Sequence, residues 1–70
     1  MNFEKLQSVL KESHISIPQF AEIVGVKKKA MYQKMRGETE FKRSEIKKAK
    51  VALNLSDEKL IDIFFADVVA

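Results

Sequence analysis

The chain contains no cysteine and no tryptophan, a single proline, two glycines and no long apolar run. Without cysteine there is neither a disulfide framework nor a thiolate metal site, which suits a reducing interior and an expected cytoplasmic location. Nothing approaches the ~18 consecutive apolar residues of a membrane span, so no segment is expected to cross a bilayer. Glu4 and Lys5 break the early stretch MNFEKLQSVL, which therefore does not read as a secretory leader. So few glycines and prolines leave no linker, and no repeat or low-complexity tract is present. Seventy residues allow one domain, 1–70, and a chain this short buries little more than half of its unfolded surface. Self-association is a physical expectation for it.

Catalytic signatures are also missing. His14 is the only histidine and has no clustered carboxylate beside it, so it reads as a helix-end or turn residue and no metal is expected. None of Ser8, Ser13, Ser16, Ser44 or Ser56 sits in a nucleophile motif, and there is no glycine-rich phosphate loop. The expectation is a protein that is not an enzyme, with no cofactor and no small-molecule ligand.

What the chain does have is an uneven charge. Residues 1–26 carry two Lys against three Glu, residues 27–50 carry ten basic side chains against three acidic, and residues 51–70 carry one against four. The segment charges of −1, +7 and −3 leave a net +3 that conceals a strongly cationic middle. A polyanion responds to the local field within a Debye length of ~10 Å, so the middle third, not the net charge, decides what binds.

Local signals place helices. Ile15, Ser16 and Phe20 form a hydrophobic staple around a cap, with Gln19 completing a capping box and Pro18 tolerated in the first turn. Leu55, Ser56 and Leu60 repeat that grammar, with Asp57 and Glu58 favourably placed at a helix start. Phe41 and Ile46 supply a third staple around Lys42, a poor cap. These marks and the apolar periodicity predict five helices at 2–13, 17–24, 27–36, 43–53 and 57–67. Phe3, Leu6 and Leu10, then Phe20, Ala21 and Val24, then Ile46, Ala49 and Leu53 are the expected core stripes.

The densest signal is IPQFAEIVGVKKKAMYQKMRG, residues 17–37, two short helices around Gly25. Small Ala21 permits a close crossing and Gly25 suits a positive φ, which is helix-turn-helix spacing. Ala21, Gly25, Val26, Met31 and Gly37, with the following FKRSEIKKAKVALNLSDEKLIDIFF, resemble the phage-repressor-like helix-turn-helix family, the Cro/CI or XRE class. The resemblance covers nearly the whole chain. It implies an all-α, compact five-helix lambda-repressor-like DNA-binding domain whose second and third helices form the helix-turn-helix.

By that resemblance the third helix enters the major groove. Lys28, Lys29 and Gln33 map to base-contacting positions, with Tyr32 beside them, and on a helical wheel these four and Arg36 share a face opposite Ala30, Met31 and Met35. Lysine suits guanine O6 and N7, glutamine suits adenine N6 and N7, and an aromatic ring suits a thymine methyl. Ser16, Gln19, Lys27, Arg36, Lys42 and Arg43 are the expected phosphate contacts; Ser16 and Gln19 stand in for the polar first position of the unit, here Ile17 before Pro18. Lys34 falls between Ala30 and Met31, so its stem is expected over the core edge with the ammonium reaching outward. Lys47, Lys48 and Lys50 are expected to coat the fourth helix, and Glu38 and Glu40 to repel phosphate unless they turn away.

The tail LIDIFFADVVA carries more apolar mass than a small domain's end requires. Some of it must cover the core, as Leu60, Phe64 and Ile63 would, and the remainder could pair subunits; a homodimer on double-stranded DNA with a palindromic operator is the expectation, with Phe64, Phe65, Val68 and Val69 as its candidate surface. The resemblance therefore implies a Cro-like transcriptional regulator, nucleoid-associated when bound. The alternative is a phage modulator or antirepressor that binds another repressor, and a weaker third is the antitoxin of a toxin pair.

Overall fold

The computed structural model describes residues 1–67, and among them the regular elements are five α-helices with no strand. They are α1 (Phe3–Glu12), α2 (Ile17–Val24), α3 (Lys28–Met35), α4 (Arg43–Ala52) and α5 (Asp57–Phe64). Each expected helix is present. The ends shift by one residue for α1, α3 and α4, and α5 stops at Phe64, three residues before its predicted end.

The starts follow from capping chemistry. Ser16 Oγ accepts the Gln19 amide at 3.2 Å while Gln19 Oε1 accepts the Ser16 amide at 2.8 Å, a complete capping box on α2. Ser56 Oγ accepts the Lys59 amide at 3.1 Å on α5. Asn2, which the sequence reading placed inside the first helix, instead caps it through Oδ1 and the Lys5 amide at 3.0 Å. Its own amide donates to the Ile63 carbonyl at 2.7 Å, tying the chain start to α5.

The stops share one device. His14, Gly25, Gly37 and Asn54 follow α1 to α4 with φ of +57°, +85°, +79° and +51°. In each case the next amide reaches back to a carbonyl in the last turn: Ile15 to Leu10, Val26 to Ala21, Glu38 to Gln33 and Leu55 to Lys50. These are Schellman closures, and Ile15, Val26 and Leu55 add the apolar contact that accompanies them.

The helices bury Leu6, Phe20, Met31, Ala49 and Ile63 completely, with Leu10, Ala21, Val24 and Leu53 close behind. α2 packs against both α3 and α4, and α1 against α5. Ala21, 2% exposed, keeps the α2 side chain small where its neighbours approach. The half-buried Phe41 ring, in the loop before α4, lies 6.4 Å from Phe20 and 5.5 Å edge-on from Phe64. Lys5 bonds Asp62 at 2.5 Å across α1 and α5, and Met1's ammonium pairs with Asp67.

Gly25 is where backbone conformation matters most for placing α3. A Cβ there would meet only the Lys48 ammonium at 3.5 Å, an ordinary contact, so the penalty for a side chain is conformational. Gly25→Ala is expected to cost about 1–2 kcal/mol, with Gly25→Asn costing less and a D-alanine at this position costing little, as urea unfolding midpoints would measure.

Candidate functional site

α3 begins after a three-residue connection, Gly25 to Lys27, in which Lys27 is extended at φ −71° and ψ 151°. Its helical period sets Met31 and Met35 into the core, 0% and 6% exposed, with Ala30 at the margin. Lys28, Lys29 and Arg36 are exposed and Tyr32 and Gln33 half-buried; Lys29 and Gln33 lie on the side of α3 away from the methionines, Tyr32 lies between, and Lys28, seven residues before Met35, is exposed because it stands in the first turn.

Lys34 departs from expectation. Its ammonium does not reach solvent: the residue is 7% exposed, and Nζ lies 3.1 Å from Glu45 Oε1, 3.0 Å from the Glu40 carbonyl oxygen and 5.8 Å from the centre of the Phe41 ring. A carboxylate, a carbonyl and a ring face replace the water that the ammonium gives up. Glu45 sits at the third position of α4 and also accepts the Lys42 amide at 2.8 Å. Burial alone would raise its carboxyl pKa, but the Lys42 amide and the hydrogen bond and charge of Lys34 outweigh that and hold it below the ordinary value. The C-terminal turn of α3, the loop and the first turn of α4 are thereby joined.

The starts of α3 and α4 differ from the other three. Lys27 and Lys42 occupy the cap positions, and neither has a side-chain acceptor for the amides that follow. Cations there oppose the helix dipole by a few tenths of a kcal/mol each. Among the described residues Lys27, Lys28, Lys29, Lys42, Arg43 and Lys47 are exposed and have no ion pair.

The other cations of the middle segment are engaged. Arg36 Nε pairs with Glu38, both about half exposed, so Glu38 screens an expected phosphate contact. Lys48 Nζ approaches the Val24 carbonyl at 3.4 Å, covering the end of α2, and Lys50 bonds Asp57 at 2.9 Å. Of the three lysines expected to coat α4, only Lys47 has no ion-pair or hydrogen-bond partner for its ammonium among the described residues. Glu40 contributes its carbonyl to Lys34 and leaves its side chain at the surface. Ser16 and Gln19 spend their acceptor oxygens on the capping box, which leaves the Ser16 hydroxyl proton and the Gln19 amide protons as outward donors.

The tail divides between core and surface. Phe64 is 7% exposed, packed against Phe41, and belongs to the core because α5 turns it inward beside Ile63. Phe65 is 38% exposed. Val68 and Val69 lie outside the described residues.

Comparison of the chain with models of protein families, with curated proteins and with solved structures gives no match. Among the described residues no helix is long and apolar enough to cross a membrane.

The buried pair yields two predictions. Lys34→Met strands the Glu45 carboxylate and is expected to cost about 3 kcal/mol, whereas Lys34→Met with Glu45→Leu recovers most of it, as urea midpoints at pH 7 would show. Because the folded Glu45 pKa lies below 4.5, the unfolded chain takes up its proton first on acidification. The stabilisation is therefore present above pH 4.5 and lost as pH falls through the folded value; Asp62, lowered by Lys5, adds in the same direction. Midpoints across pH 3 to 7 should fall on the acid side, and the double variant should show a shallower fall.

Proposed function

We propose that the chain is a sequence-specific DNA-binding regulator of transcription, of the phage-repressor-like helix-turn-helix kind, with α2 and α3 as the helix-turn-helix. The observation that carries this reading is the sorting of charge on α3: Lys34 is consumed inside the protein, while Lys27, Lys28 and Lys29 are exposed and without an ion pair among the described residues. A helix that begins with three such cations and no cap is poorly matched to its own dipole, and an external polyanion corrects both deficits.

In this reading α3 lies in the major groove, ~12 Å wide, with the methionine side held by the bundle. Lys28 and Lys29 donate to guanine, Gln33 pairs with adenine, and Tyr32 meets a thymine methyl. Lys27, Lys42 and Arg43 hold phosphates, as do the outward donors of Ser16 and Gln19. Arg36 joins them by leaving Glu38, since an exposed pair of that kind is worth only ~0–1 kcal/mol. A twofold dimer would set two such helices ~34 Å apart on a palindromic operator.

The test is selection of bound sites from random duplexes, then a salt titration of the selected site by fluorescence anisotropy. The slope of log K against log salt should lie near −5 to −9 for a dimer making roughly six to ten phosphate contacts. Lys28→Glu with Lys29→Glu should abolish binding, and Gln33→Ala should relax preference at one base pair by about 1–3 kcal/mol. An empty selection or a flat slope would turn the reading toward a modulator that binds another repressor.

A further inference from the structure

Three of the four left-handed helix closures are followed by an apolar side chain, Ile15, Val26 or Leu55, packed in or against the core. The closure of α3 is followed by an acid. Gly37, at φ +79°, turns the chain so that the Glu38 amide donates to the Gln33 carbonyl at 2.9 Å, and a Cβ on Gly37 would come within 3.2 Å of the Phe3 ring. The turn is thus seated against α1 and holds Glu38 beside the last turn of α3, where its carboxylate pairs with Arg36 Nε. Lys29, Gln33 and Arg36, spaced four and then three residues apart, follow one line along the helix on the side away from Met31 and Met35. Glu38 engages the cation that ends this line, while Lys29 near its start has no ion pair among the described residues. Glu40, the other acid of the loop, also has no ion pair among the described residues: its side chain is exposed and only its carbonyl is used, by Lys34.

We infer that Glu38 is an internal competitor for the phosphate at Arg36: without a duplex its carboxylate stands where a phosphate oxygen would meet the guanidinium, and binding exchanges one acceptor for the other. The inference rests on the DNA-binding reading above and concerns how tightly that site binds. Carboxylate and phosphate oxygens suit the guanidinium fork alike, so the two are interchangeable partners. With side chains 57% and 52% exposed the pair is weak, so the competitor lowers affinity without closing the site. Each copy that docks frees one carboxylate to take up a cation from solution, which offsets part of the counterion release from the duplex.

The experiment measures binding of the full chain to a selected duplex, and to a random duplex of the same length, by fluorescence anisotropy across a salt series. Glu38→Gln should raise affinity about two- to fivefold for each copy bound and steepen the salt slope. Its thermal melt should not change, because the amide closure onto Gln33 remains. Glu40→Gln removes the same charge from the same loop and should raise affinity less than Glu38→Gln does. Arg36→Gln should weaken binding, and in that background Glu38→Gln should add no more than Glu40→Gln does. Equal gains from the two glutamate variants, or a Glu38→Gln gain undiminished by Arg36→Gln, would assign the effect to general repulsion and overturn the competitor. Unchanged or lower affinity in Glu38→Gln would overturn it too. In each of these outcomes the wild type still binds, so the DNA-binding reading stands; failure of every variant to bind either duplex at any salt removes that reading and the inference with it.

Discussion

The buried contact between Lys34 and Glu45 is the constraint on which the rest of the arrangement depends. An ammonium in the interior is tolerated only where its donors are met, and here Glu45, the Glu40 carbonyl and the Phe41 ring meet them at one register of α3 against α4. Slipping α3 by a residue would strand the charge. Against an apolar pair of the same volume such a contact contributes little net stability, but it penalises every alternative packing. Phe41, under the same ammonium, also touches Phe20 of α2 and Phe64 of α5, so one loop residue links the helix pair carrying the lysines to the rest of the core.

That contact also divides the cationic segment by use. Lys34 and Lys50 are spent on carboxylates, Lys48 on the end of α2, and Arg36 on a weak surface pair. What remains uncommitted is concentrated at the starts of α3 and α4, where no side chain satisfies the first amides. The charge of +7 over residues 27–50 therefore overstates the field along the whole segment and understates how localised it is. Local potential, not the formal count, governs encounter with a polyanion.

The helices were legible because their punctuation is local. Ser16 with Gln19, and Ser56 with two acids behind it, specify starts within four residues, and a Gly, His or Asn marks each stop from α1 to α4, followed by an apolar residue at all but Gly37. The burial of Met31 and Met35 and the exposure of Lys29 were legible for the same reason, since a helical wheel requires only neighbouring residues. Lys34 was not, because its partner lies eleven positions away across a loop, and a lysine between Ala30 and Met31 looks like one whose stem covers the core while its head reaches water. A usable signal existed: a glutamate at the third position of a helix is drawn back to the cap amide, which sets its carboxylate beside the preceding loop where an inward cation can meet it. Phe64 stayed open between core and dimer surface because apolar density in a tail does not reveal which members face the core. Asn2 was misplaced because a good cap adjoining a helical pattern extends the pattern by one.

An eight-residue helix with three lysines at or before its first turn would not hold together alone, since nucleation is costly and the cations face the wrong end of the dipole. It persists here because Met31 and Met35 are buried and Lys34 is anchored, all on the side away from Lys29 and Gln33. The polar side of α3 is consequently fixed by contacts it does not itself make. A ligand meeting that side finds the backbone already ordered, so its binding free energy is not reduced by the cost of forming the helix. Had the same lysines been stabilised by carboxylates on the exposed side, the helix would be more stable and the surface less able to receive an anion.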